Sequence, residues 1–349
     1  MAGGDVAASG VSAAVAANPT ARSIRPIAIG WRALLVALGF SSVASLLGWV
    51  YGLASFATLF RWVTLPGALI LVLLAVRSAQ GGAGGIGPVL TVGAFSGLVG
   101  TLAYDLFRVP FIFGGGLLLL SPVESYGVLA TGASHSSGWT DFVGWAYHFS
   151  NGIGFGIAYA AVALRRHWAW GVLFALALET GTVLTPFASA YQLDGKYFVI
   201  GIAYAAHVPF GLALGRASAE PERVLHLVGV LGRRTTAVAV LGTLVVLAVW
   251  LRPGWNDPDV TAGAAVSAGP SLMIQGGRIS PEFTVVDPGG CVTVANTDEV
   301  ARSLTLQGRA TAFAPGAVGE LCPSAEGVHH LKSSGGLFTG GFLIVDPES

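Results

Sequence analysis

Charge is scarce in this chain. Of 349 residues only 10% are Asp, Glu, Lys or Arg, while 53% are hydrophobic. A soluble globular domain carries about 25% charged residues, so most of this chain has no water to face. The formal net charge is zero, and no basic or acidic field points to nucleic acid as a partner. Lysine occurs only at 196 and 332, methionine only at 1 and 273, and cysteine only at 291 and 322. The cysteines match no metal motif of the C-x-x-C kind. There is no glycine-rich phosphate loop, no nucleophile elbow and no His-Glu-x-x-His, which counts against a soluble enzyme and leans the reading away from catalysis. Arg in place of Lys, with abundant Ala, Gly and Val, hints at a GC-rich bacterial source.

What is present is a series of long apolar runs. Residues 1–29 are Ala-, Ser- and Gly-rich without period and read as a disordered cytoplasmic tail. A cleavable signal needs an apolar stretch of only about 7–15 residues, and the run that follows is longer, so an uncleaved first helix is expected. A membrane helix needs about 20 apolar residues. On that rule a polytopic domain over 30–252 holds about seven transmembrane helices, near 32–52, 56–76, 86–106, 142–164, 168–188, 197–216 and 235–251. The stretch 109–120 contains Gly114-Gly115-Gly116 and is too short to cross, so it reads as interfacial or re-entrant. The rest of 109–141, through Glu124, His135 and Asp141, reads as a polar loop. Trp31, Trp62, Trp139, Trp168, Trp170 and Trp250 fall at proposed span ends, as an aromatic belt does. With the N-terminus inside, the inner segments hold ten Arg, from Arg22 to Arg234, against Arg61, Arg108, Lys196 and Arg252 outside. The positive-inside rule therefore predicts a bacterial plasma-membrane protein with a cytoplasmic N-terminus and an extracytoplasmic C-terminus, its principal partner the lipid bilayer.

Residues 253–269 are a Gly/Ala/Pro linker. Beyond them, over 270–349, short alternating segments such as Cys291-Val-Thr-Val294 and Leu304-Thr-Leu306 are broken by Asp-Pro-Gly-Gly and Ala-Pro-Gly turns, which predicts an antiparallel β-sandwich. Two cysteines in one small extracytoplasmic domain predict a Cys291–Cys322 disulfide. The run Ile279-Ser-Pro-Glu-Phe-Thr-Val-Val-Asp-Pro-Gly-Gly-Cys-Val-Thr-Val-Ala-Asn-Thr-Asp298, followed by Arg302-Ser-Leu-Thr-Leu306 and the closing segment 327–345, resembles a cupredoxin. The resemblance implies a cupredoxin-like fold. A blue-copper site needs two His, a Cys and usually an axial Met. This chain has Arg302 where the resemblance puts the first His, and 331–340 contains none of the three closing ligands. No blue copper is therefore expected. His329 and His330 alternate on a strand, which predicts one half-buried and one solvated ring.

Ionisable residues within a bilayer are costly, and the predicted spans contain few. His148 and Asn151 lie in the fourth, Glu179 in the fifth, His207 in the sixth, with Asp105 ending the third. His148-x-x-x-Gly152-x-x-x-Gly156 recurs as His207-x-x-x-Gly211-x-x-x-Gly215, and spacing of four puts each His on the glycine face of its helix. Small-x-x-x-small faces are where membrane helices meet, so both histidines are predicted to face the bundle interior, and a two-helix internal repeat is one reading of the match. This stretch is faintly similar to small bacterial membrane protein families without an assigned mechanism. His148, Glu179 and His207, supported by Asn151 and Asp105, are the candidate metal or proton site. Two imidazoles and a carboxylate suit a transition metal. The corresponding function is a transporter or redox-associated protein. The alternatives are a scaffold or sensor whose outer β domain binds a protein partner, and an enzyme using Asp105 and His148.

Overall fold

A computed structural model describes residues 26–81, 85–115, 117, 119–193, 195–231, 271–334 and 341–345. Residues 1–25 of the tail predicted over 1–29, the seventh span and the linker lie outside these residues, and Ile29, placed in the tail, begins the first helix. The described chain is mostly helical, with a two-sheet β region at its C-terminal end.

Two helices, α1 (Ile29–Gly39) and α2 (Ser41–Val50), form a pair bent by 50°. A continuous apolar helix over Phe56–Ala79 follows, made of α3 (Phe56–Leu59), a π turn at Phe60–Thr64 and α4 (Leu65–Ala79). Then come α5 (Gly87–Phe113), α6 (Ser121–Thr131), α7 (Gly138–Ala163), α8 (Ala169–Val183), α9 (Phe187–Ala190), α10 (Tyr197–Ala219) and α11 (Pro221–Leu231). Among the described residues three helices are long and apolar enough to cross a membrane: Phe56–Ala79, α5 and α10. The number is four if the bent α1–α2 pair is one span. This corrects the expected seven. Helix α7 has the length, but Asp141, His148, Ser150 and Asn151 dilute its apolar character. Helix α8 has only 15 residues, which at 1.5 Å each falls short of a core about 30 Å thick. Leu73 (53% exposed) and Leu106 (70%) point away from the protein, as side chains facing lipid would.

The segment 109–141 also departs from expectation. Helix α5 runs through Pro110 to Phe113 instead of ending near 106. The expected polar loop contains α6, begun by Pro122 in its first turn and closed by Gly132 at φ +65°, a conformation that glycine adopts without penalty. A reciprocal cap opens α7: Ser137 Oγ accepts from Thr140 N at 3.3 Å, and Thr140 Oγ1 accepts from Ser137 N at 2.7 Å.

Among the described residues nine strands make two sheets. These are β1 (Ser271–Gln275), β2 (Arg278–Ser280), β3 (Phe283–Val286), β4 (Val292–Asn296), β5 (Arg302–Leu306), β6 (Arg309–Phe313), β7 (Val318–Leu321), β8 (Gly327–Ser333) and β9 (Gly341–Val345). The sheet orders are β2-β1-β4-β7 and β3-β9-β8-β5-β6. The sandwich is mixed, not purely antiparallel, because β1 runs parallel to β4 and β3 parallel to β9. Leu272, Ile274, Val292, Val294, Leu304 and Leu343 fill the core between the sheets. The predicted disulfide is present, with Cα atoms of Cys291 and Cys322 4.2 Å apart, tying the start of β4 to the end of β7.

The β domain is seated on the helices. All five residues of β9 are buried, because the strand is covered on both faces. Leu343 points into the sandwich, while Phe342 and Ile344 join Phe283, Val328, Tyr126, Val128 and Phe187 in one apolar cluster shared with α6 and α9. The backbone joins as well. Val285 N donates to Ser134 O at 2.8 Å and Ser136 N to Phe283 O at 2.9 Å, so the α6–α7 connection extends the edge of β3. Carboxylates crowd this seam. Burial first, then Glu282 and Asp141, push Glu124 up from 4.5 to about 7. A carboxyl raised in the assembled state favours assembly below its free value and loses that contribution as pH rises through the raised one. The melting temperature should therefore fall between about pH 4.5 and pH 7, and Glu124→Gln should flatten that slope. A slope unchanged in the variant would put the pH dependence elsewhere.

Candidate functional site

Small residues set the rotation and separation of the central helices. In α5, Gly97, Thr101 and Asp105 recur every four residues, and in α7 so do His148, Gly152 and Gly156. The two helices run antiparallel with these faces together. A Cβ on Gly97 would lie 2.2 Å from Gly152 O, and one on Gly156 2.2 Å from Gly93 O. With the glycines engaged, the next turn brings His148 to Asp105, whose two oxygens lie 3.1 Å from His148 Nε2.

The same construction repeats between α8 and α10. Here Gly171, Ala175 and Glu179 recur every four residues, opposite His207, Gly211 and Gly215. A Cβ on Gly171 would lie 2.3 Å from Gly211 O, and one on Gly215 2.0 Å from Trp168 O. The next turn brings His207 Nδ1 to 3.4 Å from Glu179 Oε2. Each half is a helix, a short helix and a helix, α5–α6–α7 and α8–α9–α10, and the halves meet where α10 packs on α5. The glycine faces thus pack as expected. Sequence reading did not see that each faces a small-x-x-x-small-x-x-x-acid helix. The spacing of Asp105 and Glu179 from small residues was the available signal.

The arrangement is two His–carboxylate pairs, not one triad. Tyr104 touches both rings, its centroid 6.3 Å from His148 and 4.9 Å from His207. A metal needs its donors around one point. Among the described residues, the one set of three ligand atoms mutually within 4.8 Å is Cys291, Glu320 and Cys322, and its sulfurs are joined in the disulfide. The ligand atoms of His148, Glu179 and His207 do not all lie within 4.8 Å of one another. Glu179 has His207 as partner, and His148 belongs to Asp105.

Both pairs nonetheless share one space. A cavity of about 700 Å³ is bordered by His148, Asn151, Glu179 and His207 from the helices and by His330 and Phe342 from the β domain. Asn151 presents a buried Oδ1 without a hydrogen-bond partner. Arg108, expected in an outer loop, is buried at the same wall. Its guanidinium lies 4.3 Å from the centre of the Tyr104 ring, bonds Asp105, and donates to Leu119 O at 2.8 Å. Neither strand histidine is solvated. His329 is 4% exposed and accepts from Gln192 Nε2, while His330 is half-buried and stacked on Phe342 at 5.0 Å. The sequence singled out neither Arg108 nor Tyr104.

The chain matches no protein-family model and no curated protein sequence. If glycine contact places the pairs, Gly171→Val should lower stability by about 1–3 kcal/mol or more, the cost of overpacking. Gly201→Val, at a position with open space around it, should cost far less. Equal thermal shifts in detergent would refute this packing role.

Proposed function

We propose that the chain is a membrane-embedded binding protein of the transporter type, in which two histidine–carboxylate pairs hand protons to and from a cavity covered by an extracytoplasmic β domain. The observation that carries the reading is that both pairs, built by the same four-residue spacing on two halves of the bundle, reach one cavity, the first through His148 and the second through Glu179 and His207. Repeated halves with a polar site between them are the common plan of secondary transporters. An imidazole beside a carboxylate changes proton occupancy with small changes of surroundings, which suits an exchange site. The β domain reads as a cupredoxin-like sandwich without copper. Its role in this scheme is to cover the cavity rather than to carry electrons. The Arg asymmetry supports a cytoplasmic N-terminus in a bacterial plasma membrane, with the β domain on the oxidising side where a disulfide persists.

A chemical consequence follows from the separation of the pairs. His148 Nε2 is hydrogen-bonded to Asp105, and His207 Nδ1 donates to Ala203 O at 2.9 Å with Glu179 Oε2 3.4 Å away, so in this reading each proton is exchanged within its own pair. Tyr104, in contact with both rings, places a hydroxyl-bearing side chain between them.

In proteoliposomes carrying a pH-sensitive dye, the protein should relax an imposed proton gradient, and Glu179→Gln should slow that relaxation about tenfold or more, as loss of one positioned acid–base group does. Flux equal in wild type and variant would remove the proton reading. For orientation, a reporter fused after Ser349 should be active on the extracytoplasmic side and one inserted between Arg216 and Arg233 on the cytoplasmic side. The reverse pattern would overturn the topology.

A further inference from the structure

The chain has two lysines in all, and both border the same cavity. Lys196 immediately precedes α10, and Lys332 comes from β8 of the β domain. They approach from opposite sides of the seam. Among the described residues the ion pairs are made by arginines and histidines, and neither lysine has a carboxylate partner. Beside them His330 has a buried Nε2 with no hydrogen-bond partner. Of the charged residues on the cavity wall, Arg108 is paired with Asp105, and Glu179 faces His207. The remaining charge is two ammonium groups facing a common space.

Both lysines are exposed to solvent, so this corner of the cavity opens to water, and an anion entering there meets ammonium groups from both domains. Burial first, then the like charge of Lys332, lowers the pKa of Lys196. Burial, then Lys332 and Lys196, lowers His330 to about 4. The ring is therefore neutral near pH 7, and its Nε2 can donate a hydrogen bond without a third positive charge. Lysine, a compact point charge on a flexible stem, suits such a role better than arginine. Away from this corner the wall carries the polar residues described above together with apolar side chains, among them Leu46, Leu47, Phe155, Leu178 and Phe210, and about 700 Å³ is within the usual range for a small organic ligand.

Building on the transporter reading, we infer that the cavity takes an amphipathic carboxylate, its anionic head held between Lys196 and Lys332 with His330 Nε2 as a donor, and its apolar body along the helical wall. Because the head bridges a helix terminus and a strand, the ligand also ties the β domain to the bundle.

The test is equilibrium binding to the full chain in phosphatidylcholine nanodiscs, with decanoate, 1-decanol and acetate as probes. Decanoate should bind about tenfold tighter than decanol, and acetate far more weakly than either. Lys196→Gln and Lys332→Gln should each weaken decanoate about five- to tenfold and leave decanol unchanged, since each removes one charge from the head. Lys332→Arg should retain most of the affinity, and Arg309→Gln, at an exposed cation on β6, should have no effect. Decanol binding as tightly as decanoate, indifference to the lysine variants, or equal loss in Arg309→Gln would each overturn the proposal. Phosphatidylglycerol that displaces decanoate would assign the same site to a lipid headgroup, whereas its failure to displace would assign the site to the free carboxylate. Lysine-dependent binding that persists in Glu179→Gln would keep this site even where the proton reading fails.

Discussion

The architecture depends on backbone meeting backbone. Where Gly97 faces Gly152 and Gly171 faces Gly211, helices come closer than any β-carbon allows, and nothing but small residues can hold that spacing. The contact fixes both rotation and register, so the histidine one turn beyond each glycine pair, and the acid two turns along the facing helix, have a single neighbour to meet. Asp105 meets His148 and Glu179 meets His207 for that reason. Charges that would be costly alone in an apolar bundle are thereby paired as a by-product of how the helices fit. The cavity between the halves is what remains when two tight helix pairs are joined through the larger side chains of Tyr104 and Phe210.

Much of this was legible in the chain. The repeated His-x-x-x-Gly-x-x-x-Gly pattern gives the face and the inward direction of both histidines. The two cysteines gave their pairing, and the turn residues gave the sandwich. What stayed hidden was relational. Spacing within one helix says nothing about which other helix it meets, so Glu179 could be assigned to either histidine, and Asp105 reads as a supporting residue, paired with His148 only in the enzyme alternative. The stretch 109–141 misled for a local reason. Pro110 and the glycines at 114 and 115 are helix breakers in isolation, yet α5 continues past the proline, and Pro122 falls in the first turn of α6, where an N–H would have no intrahelical partner to lose. The seating of the β domain had one overlooked signal. The run Phe342-Leu-Ile-Val345 is continuously apolar, which a strand covered on both faces requires and a strand with a wet face does not.

The seam also explains why a small sandwich carries chemistry it does not use internally. His330 and Lys332 alternate with residues of the sandwich core on β8, so they point out of that core and onto the helical part. The β domain thus contributes a wall rather than a binding pocket of its own. Main-chain bonds at Ser134 and Ser136 hold that wall in register, and main-chain bonds place few demands on side-chain identity, leaving the strand residues free to serve the cavity.

The shortness of α8 has a consequence for the surrounding lipid. Its 15 residues amount to about 22 Å of helix, against a hydrocarbon core of about 30 Å. A bilayer around a short element thins locally, at a cost of fractions of a kcal/mol per Å of hydrophobic mismatch. Glu179 lies one turn from the end of that helix, so the thinned annulus draws the water interface toward the carboxyl group. In the membrane reading, lipid thickness itself becomes a control on the site: a thicker bilayer submerges the end of α8 and isolates Glu179, and a thinner one wets it.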